Sequence, residues 1–327
     1  MYTLQRFILM TLDPVHIGTG GYRLGRVDNS IAREPGTKLP KIPGTSLSGA
    51  ARSYAAMRYE KPGCAGQGGH CGETTCPICY TFGNTRGQSG SAGTISLADA
   101  HLLLFPVYSM TGPVWVTTKT RLVDAGFAVN SPEISREQFI TTLPGWDKSL
   151  NLGWLMLSHQ AGNVTVTFPD KLTLDKWDNL KERLVLVDEG IFSHIVNSNL
   201  EVRTSVSIEP ETGAAKDGAL FTYEALPRAS LLWCDIVEDN YRRDPITNVS
   251  KFPVTTNKAK AEKRQNNDGG QFVYYDNQGN NLGETWRASL DVVKAGLAWA
   301  EYLGIGGMGT RGFGRIKLLG NWEVDHA

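Results

Sequence analysis

The chain lacks net charge: 33 Lys and Arg are balanced by 33 Asp and Glu, and the pI is about 7.0. That excludes the global basic excess of many free-standing nucleic-acid-binding domains, so any contact with a polyanion must be local. It also lacks a long hydrophobic run. Phe7-Ile-Leu-Met10 is soon interrupted by Asp13, too short for a membrane span or a secretory signal. A cytoplasmic protein with no membrane partner is expected. No glycine is followed by Lys-Ser or Lys-Thr, which removes the phosphate loop of nucleotide hydrolases. No internal repeat is present. Cysteine is scarce, five in all, yet four of them fall between 64 and 79.

At 327 residues and 41% hydrophobic composition the chain can bury a substantial core. Its most distinctive stretch is Gly304-Ile-Gly-Gly-Met-Gly-Thr-Arg-Gly-Phe-Gly-Arg315, after a helical pattern and before a strand-like run. A dinucleotide fingerprint runs strand, glycines, helix, so this order does not match. A plain helix-to-strand connection with Gly304 as C-cap accounts for some of these glycines. Arg311 and Arg315 favour the other reading, a side-chain-free backbone lying along an extended phosphate chain. The first sixty residues add a local basic excess: Arg6, Arg23, Arg26, Arg33, Lys38, Lys41, Arg52 and Arg58 against Asp13, Asp28, Glu34 and Glu60.

The cysteines are spaced Cys64-x6-Cys71-x4-Cys76-x2-Cys79 in a glycine-rich loop that also holds His70. Without an export signal, such crowding favours metal ligation over disulfides, and a closed tetrahedral Zn2+ site is the expected product. His70 is an alternative to Cys71 as ligand. A redox dithiol at Cys76 and Cys79 has no thioredoxin-type context, and reduced free thiols are the simpler competitor.

Apolar spacing predicts a helix over 46–58, with Leu47, Ala50, Ala51, Tyr54 and Met57 on one face and Thr45 or Ser46 as cap. A second helix is predicted over 285–302, with Trp286, Leu290, Val293, Leu297 and Ala300 aligned, and a third over 174–188. Strands are predicted at 2–10, 94–97, 229–236 and 313–319. Few strands and long connections imply an α+β fold, a small sheet with helices on one face. Two excursions leave this core: the cysteine loop at 60–93, and a polar segment at 240–283 in which Arg242, Arg243, Lys251, Lys258, Lys260, Lys263 and Arg264 dominate. The charge of the latter suits a solvated surface or a polyanion contact equally.

Pro43-Gly-Thr-Ser-Leu-Ser-Gly-Ala-Ala-Arg52 places hydroxyls and amides at a predicted helix start, an arrangement suited to phosphate and equally to ordinary capping. Asp28, bracketed by Arg26 and Arg33, reads in isolation as a turn residue. In order along the chain, His16-Ile-Gly-Thr-Gly20, Val27-Asp-Asn-Ser-Ile-Ala-Arg-Glu34, Ile42 through Arg52, Phe82-Gly83, Gly93-Thr-Ile-Ser-Leu-Ala-Asp-Ala100, segments 106–117 and 202–224 and the terminal glycine loop resemble RAMP proteins of CRISPR-Cas systems. The resemblance is specifically to the repeated backbone subunit of type III effector complexes, above all type III-B. It covers most of the chain, read as one domain over 1–327.

The resemblance implies a ferredoxin-like, RRM-related core that assembles with further copies and other type III effector subunits along a CRISPR RNA. It implies a β-hairpin thumb at 201–224 that displaces a nucleotide of the guide–target duplex. Guide-binding roles carry over to Ser46, Ser48, Arg52 and the loop of Gly306, Gly307, Gly309, Thr310, Arg311, Gly312 and Arg315. The family's target-RNA-cleaving aspartate corresponds to Asp28, acting with a divalent ion (Mg2+ or Mn2+) or as acceptor of the 2′-OH proton. His16 is a candidate acid or orienting group, or a structural histidine, and Arg26 is placed to offset phosphate charge. Two other readings stand beside the endoribonuclease: a non-cleaving guide-binding scaffold, and a zinc-stabilised enzyme acting on a small phosphorylated molecule.

Overall fold

The protein is described from a computed structural model, over residues 2–20, 27–66, 69–73, 75–86, 90–169, 172, 180–239, 241–244, 246–247, 249–253 and 286–324. Arg26, residues 174–179 of the third predicted helix and most of the 240–283 segment lie outside these.

The organising strand is β1 (Tyr2–Thr11), hydrogen-bonded along both edges. Phe7 and Leu9 enter one apolar cluster while Ile8 enters another, so its alternating side chains face two different cores. That is why Phe7-Ile-Leu-Met10 reads as one continuous apolar run. β1 has antiparallel neighbours on both sides, β14 (Leu231–Asp239) and β15 (Ile316–Glu323). Between β1 and β14, Arg6 is clamped on Asp235 at 2.8 and 2.9 Å and lies over the Trp233 ring.

The sheet continues through β4 (Ala100–Ser109), β5 (Gly112–Thr117), β11 (Leu184–Val187), β7 (Gln138–Thr141), β9 (Leu155–His159) and β8 (Leu150–Leu152). Short β2 (Lys41–Ile42) and β3 (Ile95–Leu97) attach to β4 and β14, making eleven strands. Most pairings are antiparallel; β5–β11 and β7–β9 are parallel. The expected small sheet is therefore corrected to a large one. Strands β11, β7, β9 and β8 are only three to five residues long and leave little periodic signal.

The expectation of helices on one face is also corrected. One face carries α1 (Gly44–Arg58), α4 (Glu189–Ser198) and α5 (Ser289–Leu303). The other is covered by α3 (Lys119–Asp124) and the pair β6 (Ala128–Asn130) and β10 (Thr165–Thr167). The predicted helix over 174–188 fails at its C-terminal end. Leu180, Leu184 and Val187 mimic helical spacing, but Leu184-Val-Leu-Val187 is a fully buried strand between β5 and β7, and a strand covered on both faces needs no alternation.

α1 begins at Gly44 behind Pro43, with no side-chain cap from Thr45 or Ser46. Asp99 takes that role, accepting the Gly44 N–H at 2.8 Å while pairing with Lys41. α5 crosses α1 so closely that a Cβ on Gly296 would lie 2.0 Å from the Ala51 carbonyl oxygen. α2 (Pro77–Phe82) and the 3-10 turn Pro62–Ala65 pack on this pair. A separate hairpin, β12 (Glu201–Ile208) and β13 (Ala215–Ala225), projects from the sheet and turns at Gly213, whose φ is +66°. No helix among the described residues is long and apolar enough to cross a membrane.

The two helical glycines separate packing from propensity. Gly296→Ala is expected to destabilise the fold by about 1–3 kcal/mol through overpacking at the α1–α5 crossing. Gly49→Ala, where a Cβ meets nothing within 4 Å, should stabilise α1 by about 0.5–1 kcal/mol. Denaturant midpoints of the two variants should therefore move in opposite directions.

Candidate functional site

Asp28 lies where the segment before β2 meets the base of the hairpin. Its carboxylate Oδ2 accepts both the Thr222 amide and the Thr222 hydroxyl at 2.8 Å, and its own N–H donates back to Thr222 Oγ1 at 2.9 Å. The Thr222 amide, then its hydroxyl, hold the Asp28 carboxyl below its ordinary value of 3.8. Oδ1 takes no hydrogen bond from another described residue. The side chain is exposed, so a reactant can reach it.

The base of the hairpin is fixed by a residue the sequence reading missed, Glu224. Its carboxylate pairs with Arg33 at 2.6 Å and accepts the Ile31 amide at 3.3 Å; its amide donates to Asn29 O and its carbonyl accepts from His16. An acidic residue only 9% exposed, inside an alternating run with Glu201 and Glu209, carries no signal beyond the pattern itself. His16 is buried. It donates Nδ1–H to the Glu224 carbonyl at 2.7 Å and meets Tyr223 edge-on, while its own carbonyl accepts from Gly307. Through these contacts His16 joins the glycine loop to the hairpin.

The glycine loop divides into two kinds of position. A Cβ on Gly306 would lie 2.4 Å from Ile17 and 2.5 Å from the His16 carbonyl oxygen, so this glycine is required for packing even though its outer side is exposed. Gly307, Gly309 and Gly312 face solvent with no such obstruction, and Thr310 is exposed between them. Arg311 is exposed and donates to Ser205 of β12 at 3.2 Å. Arg315 is exposed, and its guanidinium forms a two-pronged pair with Asp13, whose carboxyl it lowers, fastening the start of β15 to the end of β1. Between this loop and α1 runs a cleft of about 350 Å3 lined by Ser46, Ser53, Tyr54, Leu303, Gly306 and Gly309. Ser48 is half-buried on the same helix.

Arg52 also departs from expectation. It turns away from that cleft and donates to the carbonyls of Cys64 (2.8 Å), Phe82 (3.3 Å) and Gly83 (2.9 Å), and to His70 Nδ1 at 2.5 Å. His70, thus engaged, is not among the clustered ligands. Those are Cys64, Cys71, Cys76 and Cys79, whose sulfurs all lie within 4.8 Å of one another. Three of the separations are 3.7, 3.8 and 3.9 Å. A tetrahedron with metal–sulfur bonds of about 2.3 Å has edges of about 3.8 Å, so the four thiols fit a metal. Burial pushes the bare Cys64 thiol up to about 11 and raises Cys76 as well, a cost that a cation removes by binding the thiolates.

A protein-family model described as the RAMP superfamily matches residues 8–317. The chain belongs to the RAMP superfamily. This RAMP chain is 28% identical over 243 residues to the CRISPR system Cmr endoribonuclease Cmr4 of Pyrococcus furiosus, covering 69% of this chain and 78% of that one. Its fold is similar to that of a chain in the type III-B Cmr-beta complex bound to cognate target RNA, with a TM-score of 0.59 at 14% identity, covering 97% of this chain and 96% of that one. It is likewise similar to oligomeric Cmr4 from Pyrococcus furiosus, with a TM-score of 0.54 at 22% identity, covering 99% and 100%. The motif resemblance read from the sequence thus rests on a family match over nearly the whole RAMP chain.

Metal analysis is expected to find about one zinc per chain. Chelation or Cys76→Ser should lower Tm by more than about 5 °C, as loss of a structural metal does. Arg52→Ala, which leaves three carbonyls of the same loop unsatisfied, should lower Tm and accelerate zinc release to a chelator.

Proposed function

We propose that this RAMP chain is a repeated backbone subunit of a type III CRISPR ribonucleoprotein, most like type III-B, that binds the guide CRISPR RNA and cleaves complementary target RNA. The observation that carries the cleaving role is Asp28: an exposed carboxylate that accepts two hydrogen bonds from Thr222 at the base of a projecting hairpin. Partnership with target RNA, with further copies and with other effector subunits is supported by the similarity to the Cmr-beta and Cmr4 chains.

The guide is taken by the α1–glycine-loop cleft. Ser46 and Ser48 offer hydroxyls, and Gly307, Gly309, Thr310 and Gly312 offer backbone that a sugar-phosphate chain can approach closely. Arg311 and Arg315 supply exposed guanidinium groups, whereas Arg52 is committed within the protein; Arg26 is the counter-charge to the target phosphate. The hairpin serves as the thumb of a ferredoxin-like core. Val206 and Leu220 are directly opposed across its strands, both exposed, on the same face as Thr222. That apolar pair is suited to displacing a nucleotide and presenting its phosphodiester to Asp28.

Cleavage proceeds by attack of the 2′-oxygen on the adjacent phosphorus, its proton passing to solvent water, as the bond to the 5′-oxygen breaks and that oxygen takes a proton from water, giving a cyclic phosphate and a free 5′-hydroxyl. The chain's contribution is positional: the hairpin bends the backbone toward in-line geometry and Asp28 is fixed beside it. A carboxylate held below its ordinary value is a weak proton acceptor at neutral pH. Asp28 is therefore better suited to holding a divalent ion than to removing the 2′-proton. Asp28 would hold the divalent ion, Mg2+ or Mn2+, whose charge would offset that developing on the phosphoryl oxygens. The four-cysteine site is assigned structural zinc, distant in role from this chemistry.

The test compares the reconstituted complex carrying wild type or Asp28→Asn on a guide-complementary RNA, with Mg2+ or with EDTA. Equal assembly with cleavage reduced at least about 100-fold is expected for the variant, the scale of losing a charge-stabilising group. Wild-type cleavage by Asp28→Asn would make this chain the non-cleaving scaffold.

A further inference from the structure

We infer that Thr222 is a positioning residue for the proposed cleavage: its hydroxyl orients the Asp28 carboxylate and ties that orientation to the hairpin. The inference rests on Asp28 being the reactive carboxylate.

The hydroxyl stands in an unusual relation to Asp28. It accepts the Asp28 amide and donates to the Asp28 carboxylate, closing a ring of two hydrogen bonds between residues 194 apart in sequence. The Thr222 amide adds a third bond to the same Oδ2 atom. One carboxylate oxygen is thereby fully engaged, and the other is turned outward. With both rotations of the Asp28 side chain restrained, the outward oxygen occupies one place relative to β13.

This restraint is not needed to hold the segment. The backbone around Asp28 is already fastened to β13 by Asn29 N–H to Thr222 O at 3.0 Å and by Glu224 N–H to Asn29 O at 3.0 Å. The Arg33–Glu224 pair and the Ile31 amide on the Glu224 carboxylate fasten it again. Val27 and Ile31 on either side are buried. A strand anchored by so many contacts keeps its course without one hydroxyl, so that hydroxyl acts on the carboxylate itself. Its placement has a mechanical consequence. Thr222 is on the same face of the hairpin as Val206 and Leu220, so the residue that aims Asp28 belongs to the element proposed to displace the nucleotide.

Thr222→Val keeps the branched shape and removes the hydroxyl; Thr222→Ser keeps the hydroxyl. In the assembled complex, Thr222→Val is expected to lower the single-turnover cleavage rate about 10- to 100-fold, the penalty of a misplaced catalytic group. Guide and target affinities should stay unchanged, and more Mg2+ should be required for half-maximal rate. Independently of activity, the Asp28 amide should exchange with deuterium faster in Thr222→Val, while amides of β1 and β14 keep their protection. Thr222→Ser should restore both readouts. A wild-type rate in Thr222→Val beside an inactive Asp28→Asn would overturn the positioning role and leave the assignment of Asp28 standing. A parallel loss of target affinity, or an unchanged Asp28 exchange rate, would also overturn it. A fully active Asp28→Asn would remove the cleavage assignment itself.

Discussion

The site depends on one buried carboxylate. Glu224 is where the hairpin, the segment carrying Asp28 and the turn carrying His16 are joined, through its side chain, its amide and its carbonyl together. A carboxylate so enclosed needs a counter-charge and hydrogen-bond donors, and Arg33 and the Ile31 amide provide them. The hairpin makes only a two-stranded sheet, which has little stability of its own. Its direction is therefore set by this attachment at its base. Asp28, His16 and the glycine loop inherit their positions from it in turn, since Gly307 donates to the His16 carbonyl.

The glycine loop shows how two demands share one stretch of chain. Gly304, Gly306 and Gly314 have positive φ and no room for a side chain, so the crossing from α5 to β15 requires them whatever the loop binds. Gly307, Gly309 and Gly312 have room. Steric need does not explain the latter set at 307 and 309, where the left-handed region is not used either. The guide contact proposed for this loop accounts for them.

Much of this was legible in the sequence, and the failures have physical causes. The helices at 44–58 and 289–303 and the strand at 2–11 are long, regular and strongly patterned, and were read within a few residues of their bounds. The four cysteines were grouped correctly by spacing alone, although His70 could be separated from the ligands only once Arg52 was seen to engage it. Arginines were the least legible residues. A guanidinium near a phosphate motif looks the same in sequence whether it is exposed, as those of Arg311 and Arg315 are, or enclosed among carbonyls, as that of Arg52 is. The sheet's extent was underestimated because β8, β9 and β11 are short, and a strand such as Leu184–Val187, apolar on both faces, imitates a helix. Thr222 and Glu224 gave no warning, because their partners are almost two hundred residues away.

The clasp between Arg52 and the cysteine loop also constrains how the chain can change. The arginine sits in the middle of α1, half-buried, and all the acceptors recorded for it come from the loop and its flanks. Shortening the loop would leave a guanidinium enclosed without acceptors; replacing the arginine first would leave the loop's carbonyls enclosed without a donor. Either order passes through an intermediate less stable than its neighbours. The loop and the arginine that receives it are thus one mechanical unit, in which a change to either partner alone is opposed by the other.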